Sequence, residues 1–407
     1  MQAQESFASG CALARSLRVA ATLMLLGVSL ILPAPAQARE PDVACAVPIP
    51  AERSPRSSQE QAAYRARLHS FATGEGITVA VIDTGVSPHP QLRTLRGGSD
   101  FVTPEEPDSL RDCDIHGTAV AGVIAGYDIG IAPRAEIVSI RQTSGHYRHR
   151  SEDNLSSSGT LETLAAAINS ALDERAKVIN ISVISCVPRK DAHRVDTRDL
   201  DAALQRAEDS GAVIVAASGN ASSGGCTKED VVYPAHAATV LAVGALANAH
   251  DVAEYSIPIH DKDRRLSADG HVPLALAPGG EWARAKTTGD GQPSPFHGTS
   301  FAAPVLSGTV ALLAQRYPHE SPAKLRARIY AAAEPGNGFI DPLSALTFHQ
   351  DRESPNASAD AAAPEKSVVV RPAAAERSVA PARLMALVAS LGGLVVLGAT
   401  LRRIRDA

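Results

Sequence analysis

Ile77-Thr-Val-Ala-Val-Ile82-Asp83-Thr84-Gly85-Val86 is the stretch on which the reading of this chain turns. Its first six residues, led in by Gly74 and Gly76, are apolar or β-branched, which suits a strand buried on both faces of a parallel sheet. The run ends on a carboxylate. Open α/β sheets bind ligands outside the carboxyl ends of their strands, so Asp83 stands where chemistry is done. Asp-Thr-Gly alone is a common turn. Two later segments change its weight: His116-Gly-Thr-Ala-Val-Ala-Gly122 and His297-Gly-Thr-Ser300-Phe-Ala-Ala-Pro304. Each sets one polar residue beside small ones, in the order Asp, His, Ser. Peptide hydrolysis by a serine needs those three groups. Ser300 Oγ would attack the carbonyl, His116 would take and return the proton, and Asp83 would hold the imidazole in the right tautomer.

The surroundings suit those roles. His116-Gly117-Thr118 opens an apolar helical run, in which Gly122 permits close packing. Ser300 begins another helical segment, where the positive end of the helix dipole favours a nucleophile and a developing oxyanion. Gly298, just before it, lets a substrate backbone approach closely. Val215-Ala-Ala-Ser-Gly219-Asn220 ends a further buried strand, and the Asn220 amide can donate to an oxyanion.

Working outward, apolar runs recur at Ile137-Val-Ser-Ile140, Val178-Ile-Asn-Ile181, Ala212-Val-Ile-Val215 and Thr239-Val-Leu-Ala-Val243. Leu161, Leu164, Ala165, Ile168 and Leu172 recur at helical spacing between them, as do Leu200, Ala203, Leu204 and Ala207. Strands alternating with helices predict an α/β fold: a doubly wound, mostly parallel sheet with helices on both faces. Residues 141–160 and 187–198 are polar and read as surface loops.

Both ends depart from this pattern. Arg15 and Arg18 precede an apolar run that ends before Pro33, and Ala36-Gln-Ala38 suits cleavage, so residues 1–38 read as a signal peptide. Residues 39–75 form a short polar, proline-containing extension, too short to be an independently folded propeptide. The catalytic domain is expected over residues 76–346. A linker rich in Ala, Ser, Pro and acidic residues follows at 347–383 and reads as disordered. Residues 384–401 are an uninterrupted apolar or small-residue stretch, just long enough to cross a bilayer as one helix. Arg402, Arg403 and Arg405 follow, which places residues 402–407 in the cytoplasm and the body of the protein outside.

A net charge of −5, with aromatic residues at 4% and no basic stripe, gives no sign of nucleic-acid binding. Four cysteines remain after the signal: Cys45, Cys113, Cys186 and Cys226. An even number in an exported chain suggests two disulfides. Three pairings are possible, and Cys45–Cys113 with Cys186–Cys226 is the expected one. No CxxC or paired-His spacing suggests a metal site, and no cofactor is implied.

The ordered Asp, His and Ser segments resemble the subtilisin-like serine proteases. Cys113 three residues before His116, Cys45 in the extension, the signal and the terminal apolar run are similar to one branch, the mycosins. These are membrane-anchored subtilases of type VII secretion systems. The resemblance implies a subtilisin-like fold and Asn220 as oxyanion donor beside the Ser300 backbone N–H. It also implies an N-terminal segment wrapping the catalytic domain and tied to it by a disulfide, which fits Cys45–Cys113. The substrate cleft would be lined by Ser182, Val183, Ile184, Gly219 and Gly298. Typical subtilisins carry glycine where Ile184 stands, so a β-branched residue there should narrow the cleft. The implied activity is a membrane-anchored serine endopeptidase making limited cuts in protein or peptide substrates of a type VII system. A mainly structural role in that secretion membrane complex and an anchored general degradative subtilase are the alternatives.

Overall fold

The computed structural model describes residues 40–51, 58–147, 159–221, 225–259, 261, 264–287 and 291–348. The segments expected to be a signal peptide (1–38), a membrane helix (384–401) and a cytoplasmic tail (402–407) lie outside the described residues, as do nearly all of the expected linker and parts of the extension and of the 141–160 loop.

Seven strands build one sheet: β1 Thr78–Asp83, β2 Leu95–Asp100, β3 Glu136–Arg141, β4 Val178–Ile181, β5 Val213–Ala217, β6 Val240–Leu246 and β7 Ser267–Asp269. Their spatial order is β7-β6-β5-β4-β1-β3-β2. Every pairing is parallel. The order reverses at β1, which lies between β3 and β4, and such a switch point opens a crevice at the strand ends. Asp83 is the last residue of β1.

The pleat sorts side chains onto two faces. Val79, Val81, Ile137, Val178, Val213 and Val215 join one core with helix α2 (His116–Ala125) and helix α5 (Thr299–Arg316). Ala80, Ile82, Val138, Ile140, Ile179 and Ile214 face the other way, against α3 (Leu161–Asp173) and α4 (Arg198–Asp209). The doubly wound α/β layering expected from the sequence, with helices on both faces of a parallel sheet, is present.

The extension carries more structure than its composition suggests. Pro48–Pro50 pairs antiparallel with Glu281–Thr287 in a second, five-stranded sheet. Helix α1 (Gln59–Phe71) follows, started by a capping box in which Ser58 Oγ and Gln61 satisfy each other's backbone N–H groups. Leu68 is the sole fully buried residue of α1, so no apolar stripe marked this helix in the sequence.

Candidate active site

At the end of β1, Asp83 is completely buried. Its Oδ1 accepts hydrogen bonds from Thr84 N at 2.8 Å and from His116 Nδ1 at 2.7 Å. His116 opens α2, and its approach to the carboxylate depends on Gly117. A Cβ there would sit 2.0 Å from the carbonyl oxygen of Gly85, so any other residue would push the first turn of α2 away. Ile115, just before His116, takes a left-handed φ of 62°, a costly state for a β-branched residue. It is fixed from both sides by Asp112. The Asp112 carboxylate accepts from Thr118 N at 2.8 Å, Thr118 Oγ1 at 2.6 Å, Asp114 N at 3.1 Å and Thr84 Oγ1 at 2.9 Å. Burial first, and then the charges of Asp114 and Asp83, push the Asp112 carboxyl up to about 6 against the opposing Thr118 bonds.

Ser300 is the second residue of α5. Pro304, inside that helix, has no N–H to give the carbonyl four residues back. That carbonyl belongs to Ser300, and Ser182 Oγ takes it at 2.8 Å. In return Ser300 Oγ donates to the Ser182 carbonyl at 3.0 Å. Asn180 holds this interlock, donating to Ser182 Oγ and accepting from Ser307 Oγ, each at 2.9 Å. The hydroxyl of Ser300 therefore rests on the cleft wall, and no hydrogen bond joins it to His116 among the described residues. The His116 ring lies 5.1 Å from that of Phe301, the neighbour of Ser300. Rotation about one side-chain bond is what directs Ser300 Oγ elsewhere, and resting hydrogen bonds of this kind are often exchanged on substrate binding.

The orientation of Asn220 follows from its partners. Its Oδ1 accepts from Thr299 N at 3.0 Å and Thr299 Oγ1 at 3.1 Å. A backbone N–H demands an oxygen, so the amide cannot be reversed and Nδ2 is the end left to donate. Nδ2 lies 3.0 Å from where a Cβ on Gly298 would stand, and Gly298 has a φ of 130°. Glycine is required there twice over, by backbone conformation and by space.

Across the cleft, Ile184 Cδ1 lies 3.3 Å from a Cβ position on Gly219, with Ile257 and Val232 at 2.9 Å and 3.3 Å. Ile184 thus fills the space between the 182–184 segment and the Gly219–Asn220 segment. On its far side, Val183 and Ile184 border a recess of about 70 Å³ with Gln142, Thr143, Thr160 and Leu164.

Both expected disulfides are present, with Cα separations of 4.7 Å for Cys45–Cys113 and 5.8 Å for Cys186–Cys226. The first fastens the extension three residues from His116, beside a hydrogen bond from Ala46 N to the Cys113 carbonyl at 2.9 Å. Asp112, Thr84, Asn180 and Thr299 were missed in the sequence. Asp112 sits four residues before His116, but a carboxylate in a loop reads as solvated until its burial is seen. Among the described residues, no group of three or more His, Cys, Asp or Glu could hold a metal ion.

Residues 74–362 match the Subtilase family. Mycosin-4 of Mycobacterium tuberculosis is 34% identical over 341 residues, covering 77% of this chain and 72% of the relative. The chain belongs to the mycosin branch of the subtilase family. Its activity is that of a subtilisin-like serine endopeptidase. Among solved structures, this mycosin is similar to MycP1 from the ESX-1 type VII secretion system, at 31% identity and TM-score 0.68. That match covers 77% of this chain and 91% of the other. A chain in the intact ESX-5 inner membrane complex matches over 90% of this chain and 95% of its own length, at 29% identity and TM-score 0.69.

Proposed function

We propose that this chain is a membrane-tethered mycosin that makes limited cuts in proteins handled by a type VII secretion membrane complex. Ser300 is the nucleophile, His116 the general base and acid, and Asp83 the group that orients and stabilises the imidazolium. Asn220 Nδ2 and the Ser300 backbone N–H bind the oxyanion. The observation that carries this reading is the 2.7 Å bond from His116 Nδ1 to the buried Asp83 carboxylate, in the same cleft as Ser300 and the committed Asn220 amide. Ser182, Val183, Ile184, Gly219 and Gly298 line the path of the substrate. The packing of Ile184 against the Gly219 segment favours selective cleavage over general degradation. Fluorophosphonate labelling tests the assignment: wild-type protein should label at Ser300, and Ser300→Ala should abolish both labelling and peptide cleavage with the fold intact. A folded wild type that never labels would remove it.

Residues 384–401, with Arg402, Arg403 and Arg405 beyond them, supply the anchor in this proposal, and the catalytic domain faces the extracytoplasmic side. Among the described residues no helix is long and apolar enough to cross a membrane, so the tether rests on the sequence of that segment. A structural role within the secretion complex is the second reading. It is favoured by the match over 90% of the chain to a component of the ESX-5 inner membrane complex.

A further inference from the structure

We propose that Asp112 is a positioning residue that sets the basicity of the Asp83–His116 pair through the hydroxyl of Thr84. The inference rests on the triad reading above.

Thr84 Oγ1 has one proton to give and two lone pairs to fill. Gly117 N–H occupies one lone pair at 3.1 Å. The proton has two competing acceptors: Asp112 Oδ1 at 2.9 Å and Asp83 Oδ1 at 3.2 Å. With Asp112 ionised, the proton goes to the nearer oxygen, and Asp83 keeps only its bonds to Thr84 N and His116. With Asp112 protonated on Oδ1, its O–H donates into the free lone pair of Thr84. The threonine proton then turns to Asp83. A single proton taken up from solvent at Asp112 thus delivers a new hydrogen bond to Asp83 and removes a negative charge nearby. Both changes make the His116 imidazolium less stable.

Asp112 cannot swing away from this task. It is buried, and Thr118 and Asp114 N hold both of its oxygens. The charged and titratable groups around it are few. Asp83 faces it from β1, His116 stands on α2, and Asp114 shares its loop. His146 lies 3.8 Å from the Asp114 carboxylate, and Lys286 Nζ donates to the Asp114 carbonyl at 2.6 Å. Burial pushes the Asp112 carboxyl up to about 6, which brings its protonation into the range an ordinary imidazole covers.

The test is the pH dependence of the second-order rate constant for fluorophosphonate labelling of Ser300 in the full-chain protein. Protonation at Asp112 makes His116 harder to protonate, so the wild-type acid limb should be shallower than a single ionisation. Asp112→Asn presents an amide N–H to Thr84 and mimics the protonated state permanently. Its limb should have single-ionisation shape, with the midpoint lower by about 0.5–1 pH unit. Wild-type Asp112 is itself largely protonated at pH 5, so the variant's fraction of plateau rate should exceed wild type most near pH 6, by roughly two- to threefold, and the two profiles should converge below that. Thr84→Ser keeps the hydroxyl and should keep the wild-type shape. A wild-type limb that fits one ionisation overturns the proposal without any variant, and so does an Asp112→Asn profile that superimposes on wild type after scaling. Failure of the wild type to label would bring down the triad reading and the relay together. Labelling with an unchanged profile would strike the relay alone.

Discussion

Replacing Asn220 by Asp separates two jobs that the same amide performs. Its Oδ1 accepts two hydrogen bonds from Thr299, and an aspartate keeps that oxygen in place. The Nδ2 donor is what Asp lacks, and a charged oxygen takes its position. Asn220→Ala deletes both ends. Loss of a side-chain oxyanion donor costs about 10²–10³ in kcat in subtilisin, or about 2.7–4 kcal/mol. The same loss is expected here for either variant, with the added negative charge placing Asn220→Asp at the severe end of that range. Stability should divide them. Two hydrogen bonds at roughly 0.5–1.5 kcal/mol each predict that Asn220→Ala unfolds about 1–3 kcal/mol more easily, while Asn220→Asp stays close to wild type. The assay is kcat and KM on a peptide that the wild type cuts, paired with urea unfolding. An Asn220→Asp variant whose kcat falls less than tenfold would refute the reasoning, because another group would then be holding the oxyanion.

Three further outcomes follow from the same geometry. Ile184→Gly should open the space against Gly219 and raise kcat/KM for substrates with a large residue before the cleaved bond by roughly tenfold or more; unchanged side-chain preference across a peptide library would show that Ile184 does not shape the cleft. The Cys45–Cys113 bridge spans 68 residues, so replacing both cysteines by Ser should cost about 4 kcal/mol in unfolding free energy, and a loss under about 1 kcal/mol would contradict that value. Asp112 binds its proton more tightly folded than unfolded, its carboxyl standing at about 6 against a usual 3.8. Its contribution to stability is therefore complete below the unfolded value and is lost as pH rises through about 6, roughly 3 kcal/mol in all. The difference in unfolding free energy between wild type and Asp112→Asn should move in that sense between pH 4 and 7; a flat difference would sink the argument.

The central sheet was legible because its strands are buried on both faces. Continuous runs such as the one ending at Asp83 have no other economical reading. The Leu95–Asp100 strand escaped notice, because Leu-Arg-Gly-Gly-Ser-Asp carries neither alternation nor an apolar run. Helix α1 was hidden for a related reason: it docks through Leu68 and a Tyr64–Asp341 hydrogen bond of 2.5 Å, and neither leaves a periodic trace. At the site, Asp83, His116, Ser300 and Asn220 were visible as residue types beside small neighbours. What holds them was not. The roles of Asn180, Ser182 and Thr299 depend on contacts across 79 to 127 positions of chain, and the resting contact of Ser300 with the Ser182 carbonyl is a matter of one rotamer.

Pro304 gives the cleft a fixed datum and a separate dial. By denying the Ser300 carbonyl its helical partner, it docks the nucleophile onto Ser182 through two reciprocal bonds, one donated by each hydroxyl to the other residue's carbonyl. The depth of the wall relative to the attacking oxygen is then set at Ser182, by its hydroxyl and its carbonyl together, and does not depend on the side chains that follow it. Val183 and Ile184 come immediately after that anchored point and contribute by side chain. Selectivity can be retuned at those two positions without re-registering the nucleophile, whereas a change at Ser182, Asn180 or Pro304 shifts both at once.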